Sequence, residues 1–315
     1  MKKSLLLLSL AALAIPSVAQ EPKTLFEDDF TWLAPWAKQG DNGGEVAGDH
    51  VGTNQVATGK GKIYCPQITT GKLTIDGETV TAKSAMEKKG YVFLYHVCPQ
   101  YTGSDAATSS TYLQSYWTNG NPKADGAEIV GAYIKFGKKN FTSGLQIPAI
   151  DFSNVNTEVT VSFNWCPMKD KVTEGVYDKT HLAVIVENEG VEVAYDAPFT
   201  DFSDGDKPFA WYPVDVKLTG AKLTKDTKIS IRPKDYTKDG VNYYLWPLAE
   251  KDKVYRYFLR GVKVTAAGSS AVDEIATDTN APVEYYNLQG VKVANPSAGI
   301  YIVKQGNKIS KQVIR

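Results

Sequence analysis

Between Tyr91 and Val264 the chain breaks into short runs of β-forming residues, and no stretch carries the apolar period of a long amphipathic helix. The cleanest run is 157–165, where Val159, Val161, Phe163 and Trp165 fall on one side of an extended strand and Thr160, Ser162 and Asn164 on the other. Further strands are expected at 91–97, 129–136, 214–218, 228–232 and 255–264. Those at 181–187 and 191–195 are joined by Asn188-Glu189-Gly190, a hairpin signal. Many short strands separated by Gly, Asp, Asn and Pro turns imply an all-β fold, a sandwich or barrel. The expectation is a jelly-roll-like β-sandwich over residues 24–265, followed by a small C-terminal β module.

The ends of the chain bound its setting. Lys2 and Lys3 precede Leu5 to Leu8 and an alanine-rich run to Ile15, and Ser17-Val18-Ala19 offers small side chains at a cleavage site. This order predicts an export signal over 1–19 and a mature protein beginning at Gln20. The apolar run is too short to span a bilayer, and no later run reaches the ~18 residues a spanning helix needs. No cysteine lies near the cut, so an N-terminal lipid anchor is not expected. The formal net charge of the 315 residues is +0, which argues against a broad nucleic-acid surface.

Residues 266–281, rich in Ala, Ser, Thr and Asp, read as a linker. About 245 residues remain between leader and linker, enough for one large all-β domain or two smaller ones. Cys65, Cys98 and Cys166 are each followed by proline, which predicts a strand end at each. One disulfide in an oxidising compartment and three buried thiols are both compatible with this count. No Cys-x-x-Cys or histidine-rich spacing points to zinc.

Residues 282–315 form a ladder of strands and turns. Tyr286-Asn287-Leu288-Gln289-Gly290 ends one strand at a glycine, and Asn295-Pro296 with Ala298-Gly299 forms a turn. Gly299-Ile300-Tyr301-Ile302-Val303 makes the next strand, and Gly306-Asn307 signals a hairpin into a basic, alternating end. This tail resembles the C-terminal sorting domain of the type IX secretion system of Gram-negative bacteria. The resemblance implies delivery to the cell surface or the medium, and a partner in the secretion machinery.

Leu25-Phe26-Glu27-Asp28-Asp29-Phe30 resembles the opening strand of jelly-roll carbohydrate-binding and adhesin-type modules, and Tyr257-Phe258-Leu259-Arg260-Gly261-Val262-Lys263-Val264 their closing strand. The resemblance implies that the two strands lie side by side and hold a structural calcium ion. Glu27, Asp28 and Asp29 would supply its carboxylate ligands. The closing strand carries Arg260 where the modules have an acid, so an ion pair from Arg260 to Asp28 or Asp29 is the competing expectation. A second acidic stretch, Asp201 to Asp206, reads as a polar turn.

Nucleophile elbows, phosphate loops and zinc-protease motifs are absent from the sequence, and His50, His96 and His181 are scattered. Glycoside hydrolysis needs only two carboxylates and leaves no local signature. The leading chemistry lies instead in aromatic residues set among polar ones, above all Tyr116 and Trp117 beside Asn119 and Asn121. A flat ring can stack on the apolar face of a sugar while amides bond its hydroxyls. The sequence therefore points to an exported, non-enzymatic glycan-binding protein with Tyr116, Trp117, Asn119 and Asn121 as its site. The alternatives are a surface adhesin or structural protein binding a protein partner, and a glycan-cleaving hydrolase.

Overall fold

The computed structural model describes residues 21–39, 55–58, 61–64, 66–101, 111–117, 129–168, 177–199, 211–238, 240–243, 252, 255–268, 281–305 and 308–314. Two compact units emerge: Pro22–Ala267, and a smaller one that contains Gly268–Arg315. The larger unit holds β1 (Lys23–Asp28), α1 (Ala34–Ala37), β2 (Gln55–Thr58), β3 (Gly61–Tyr64), β4 (Lys72–Ile75), β5 (Glu78–Thr81) and α2 (Ala82–Lys88). After these come β6 (Val92–Val97), β7 (Tyr112–Trp117), β8 (Ile129–Phe136), β9 (Phe141–Gln146), β10 (Val159–Pro167), β11 (Leu182–Asn188) and β12 (Val191–Asp196). It ends with β13 (Tyr212–Lys217), β14 (Lys228–Pro233), β15 (Tyr236–Lys238), β16 (Val241–Tyr243) and β17 (Tyr257–Ala266). The smaller unit holds β18 (Val283–Tyr286), β19 (Lys292–Val293), β20 (Gly299–Gln305) and β21 (Lys308–Ile314).

Two large antiparallel sheets make the core of the larger unit, with two-stranded ribbons β2-β3, β4-β5 and β15-β16 beside them. One runs β13-β10-β17-β8-β7, with β1 paired to β17 beside β8; the other runs β12-β11-β14-β9-β6. From β8 to β14 the chain repeatedly crosses between them, which makes the fold a jelly-roll-like sandwich rather than a meander. The alternation read in 157–165 is realised: Val159, Val161, Phe163 and Trp165 are all buried in one core. Val184 and Val186 of β11, Ile229 and Ile231 of β14 and Leu145 of β9 meet them from the opposite sheet. Burying each such side chain contributes about 1.5–3 kcal/mol before chain entropy is counted. Tyr257 ties the two layers with a polar contact, its hydroxyl donating to the Ser143 carbonyl at 3.0 Å.

Close approach of β9 and β14 depends on Gly144. A Cβ there would stand 2.5 Å from the Arg232 Cβ and 2.8 Å from the Ile231 carbonyl. The predicted hairpin turns on Glu189 and Gly190, both at positive φ, while Asn188 stays in the strand. Asp76-Gly77 makes the equivalent turn between β4 and β5, a signal the sequence reading passes over. Helix α2 was not expected either; at seven residues it is too short to show a period, and it is fixed by a capping box between Thr81 and Ser84.

Several expectations shift. The sandwich keeps Ala266 in β17, and Ala267 is held by its amide to the Glu158 carbonyl and its own carbonyl to Thr157 Oγ1. The larger unit therefore runs two residues past the expected boundary, to Ala267. Strands do end at two of these sites: β6 stops at Val97, just before Cys98-Pro99, and β10 stops at Pro167; the two cysteines are buried in separate clusters, Cys98 beside Tyr255 and Cys166 beside Tyr133, Met168 and Phe258. Cys65 and the 201–206 acidic stretch lie outside the described residues.

The smaller unit is one four-stranded sheet, β19-β18-β20-β21. The first strand stops at Tyr286, not at the glycine, because the Asn287 side chain accepts the Gln289 and Val291 amides at 3.0 and 2.9 Å and turns the chain. On one face Tyr285 meets the edge of Tyr301, next to Val303. Ile300, Ile309 and Val313 remain exposed.

Candidate functional site

The resemblance to jelly-roll modules implies adjacency of the opening and closing strands, and β1 does pair with β17, matching Glu27 to Lys263 and Asp28 to Val262. Lys263 also pairs with Ser162 on β10, and Ser162 with Asp215 on β13. Four adjacent strands thus align Glu27, Lys263, Ser162 and Asp215 in one row across the sheet face turned away from the core. Asn164 stands in the next row. A groove of ≈ 240 Å³ runs over these residues and Asp29. Its floor is the chain of Phe163, Val214 and Val262, whose rings and methyls point down into the core.

The groove owes its shape to a bulge. Pairing of β10 with β17 slips between Phe163 and Asn164, opposite Gly261. Gly261 sits at φ 68°, and a Cβ on it would reach to 3.4 Å from the Asp28 carbonyl. Only glycine takes this conformation cheaply and lets the end of β1 lie close.

The three carboxylates of β1 and its exit have different partners. Asp28 accepts from the Tyr91 hydroxyl at 2.7 Å, from the Trp32 Nε1 at 3.0 Å and from the Phe30 amide at 2.8 Å. Burial, then the charge and hydrogen bond of Asp28, push the Tyr91 phenol far up, so it stays a donor. This lattice holds the left-handed Phe30 (φ 62°), which is wholly buried. Asp29 takes the Thr31 amide and hydroxyl at 2.9 and 2.7 Å. Burial works against its charge, but the Thr31 bonds and the Arg260 charge outweigh it and hold the carboxyl below its usual range. Glu27 pairs with Lys263 at 3.2 Å.

The ion pair at this junction is therefore Glu27–Lys263. The Arg260 guanidinium stacks 5.5 Å from the Trp211 ring centroid and its charge acts on Asp29, while Asp28 is bonded to neutral donors. Among the described residues no group of three His, Cys, Asp or Glu side chains is arranged to hold a metal ion.

Across the groove, Ser162 Oγ donates to Asp215 Oδ1 at 2.6 Å. That leaves the serine oxygen and the second Asp215 oxygen as acceptors. Sequence reasoning missed Lys263, Ser162, Asn164 and Asp215. The outward positions of 157–165 contain Ser162 and Asn164 in plain view, but Asp215 and Lys263 join them only through strand register. Of the loop site, Tyr116 and Trp117 end β7, opposite Gly131 and Ile129 at a bulge. Their side chains, with Asn119 and Asn121, lie outside the described residues.

No family model matches the chain, and neither does any curated protein. Among solved structures, similarity is found to the family 11 carbohydrate-binding module of the cellulosomal cellulase Lic26A-Cel5E of Clostridium thermocellum. It is 11% identical, covers 62% of this chain and 95% of that one, and has a TM-score of 0.26. The same module in complex with a β-1,3-1,4-mixed-linked tetrasaccharide is 11% identical, with coverages of 56% and 89% and a TM-score of 0.27. The K1 cleaved adhesin domain of Lys-gingipain from Porphyromonas gingivalis W83 is 12% identical, with coverages of 56% and 99% and a TM-score of 0.24.

Proposed function

We propose that this is an exported, non-enzymatic glycan-binding protein. The observation that supports the reading is the groove row Glu27, Lys263, Ser162 and Asp215, with Asn164 beside it. It offers fixed hydrogen-bonding groups on a rigid sheet, which is what orienting sugar hydroxyls requires. Its volume lies below the about 300–1,000 Å³ of drug-sized pockets, so it suits a single ring more than a long chain. The row is poorly arranged for glycoside cleavage. Glu27 and Asp215 sit three strand spacings apart, about 14 Å between backbones, with a lysine and a serine between them. Paired catalytic carboxyls stand about 5–9.5 Å apart.

Tyr116, Trp117, Asn119 and Asn121 remain the proposed stacking site, and calcium at Glu27, Asp28 and Asp29 a proposed structural ion. Titrating calcium into the metal-free protein while following melting tests the ion: a raised Tm supports it and an unchanged Tm rejects it. A glycan array on the mature protein tests the function; binding to no saccharide rejects it. For any hit, Trp117→Ala should cost about tenfold in affinity without early melting, because a stacked ring is worth about 1–2 kcal/mol. Early melting would place the ring in the core instead.

For the small unit the proposal is a sorting role through the type IX secretion machinery at the surface of a Gram-negative bacterium. Aliphatic side chains left exposed on its strands, Val283, Ile300, Ile309 and Val313, and in its first turn, Leu288 and Val291, favour a protein partner there. Deleting 282–315 should retain the protein in the periplasm; unchanged surface delivery rejects the role.

A further inference from the structure

We infer that the groove selects an amine-bearing saccharide, one with an unacetylated amino group, over its neutral and anionic counterparts. The inference rests on the glycan-binding reading, takes Glu27, Asp28 and Asp29 as free of calcium, and goes on to specify the ligand's charge. Glu27, Asp29 and Asp215 place three carboxylates on the groove, and Lys263 is its one ammonium. Asp28 adds a fourth negative charge, so the groove stays net negative with Lys263 and the field of Arg260 on Asp29 both counted. Hydrogen bonding leans the same way. Carboxylates only accept, and the Ser162 hydroxyl already donates its hydrogen bond to Asp215. Lys263 is engaged by Glu27. Asn164 is left as the neutral group that can both donate and accept. An acceptor-rich surface is satisfied by a donor-rich ligand, and an ammonium brings three donors and a compensating charge in one group. A uronate or sulfate would meet like charge and find few donors. The dimensions favour a sugar over a basic peptide: the groove is ring-sized and shaped by a bulge, whereas an extended peptide would need a longer trough.

Four probes separate the outcomes, each titrated calorimetrically into the mature full chain in mildly acidic, low-salt buffer. They are a β-1,4-linked glucosamine tetramer, its fully N-acetylated counterpart, a galacturonate tetramer and a lysine tetrapeptide. The glucosamine tetramer should bind at least tenfold tighter than the acetylated one, weaken with added salt, and beat the galacturonate by more. Asp215→Asn keeps an acceptor for Ser162 and should weaken amine binding about two- to fivefold, the size of one exposed ion pair. Lys263→Gln should strengthen it by a similar factor. Equal or tighter binding of the acetylated tetramer overturns the inference while leaving the glycan reading intact. Lysine peptide binding as tightly as the amino sugar also overturns it, and binding of no saccharide overturns both.

Discussion

The two units place like elements in unlike surroundings. The sandwich presses two five- and six-stranded sheets together, so the inner face of each is covered by the other. The tail has a single four-stranded sheet, in which, among the described residues, Val303 is the buried aliphatic and Ile300, Ile309 and Val313 stay exposed. Each unit also contains an acid–base pair. Arg256 holds Asp178 bidentately at 2.7 and 2.9 Å, with the Asp178 side chain 7% exposed. In the tail Lys292 holds Glu284, the lysine side chain 60% exposed. Two layers can keep charges and glycines in fixed, strained or desolvated positions. One layer cannot, and its polar contacts stay in water. A preformed groove accordingly belongs to the sandwich, and the tail keeps aliphatic side chains open to solvent.

The largest expected effects test this contrast directly. Trp165→Ala should destabilise the sandwich by about 3–5 kcal/mol, as for large aromatic truncations in a core. Arg256→Ala should cost a similar ~3–5 kcal/mol by stranding Asp178 in the interior. Lys292→Ala in the tail should leave melting unchanged. All six tryptophans precede residue 268, so tryptophan fluorescence reports the sandwich, and tyrosine circular dichroism is needed for the tail. A tail that responded to Lys292→Ala as the sandwich does to Arg256→Ala would break the comparison.

Glycine substitutions come next. Gly144→Ala drives a methyl into Arg232 and Ile231 and should cost about 1–3 kcal/mol. Gly290→Ala, at φ 79° with open space around it, should cost roughly 1 kcal/mol from backbone strain alone. Urea titration of both variants measures the difference.

Acid should act on the sandwich first. Burial lowers the pKa of His181, with the Asp196 charge opposing it. A histidine with a depressed folded pKa contributes stability that is whole above its ordinary value of 6.5 and is lost as pH falls through the folded one. In the tail, hydrogen bonds from Lys292 and Tyr286 hold Glu284 below its ordinary 4.5, so its contribution fades only in more acid solution. Melting curves stepped down in pH should show the sandwich weakening before the tail, and His181→Gln should flatten the sandwich's response. The smallest effect expected is that of removing 268–315, which should shift the tryptophan-detected transition by less than about 0.5 kcal/mol, since the two units are separately compact. A sandwich that unfolds on this deletion would show that its core depends on the tail.

Local pattern alone determined much of this. Alternating Val159, Val161, Phe163 and Trp165 declares which way a half-buried strand must face, because a pleated chain sends successive side chains to opposite sides. Glu189-Gly190 declares a tight turn, because both residues must take positive φ. The acidic opening strand was visible as a place of interest. What its carboxylates do was not, since the partners of Asp28 include Tyr91, 63 residues away in the chain. The groove was still less legible. Lys263, Ser162 and Asp215 are unremarkable singly, and they become a row only when three strand pairings fall into one register. Register is settled by burying both sheets' apolar faces at once, a condition on the whole sandwich that no local stretch of sequence contains.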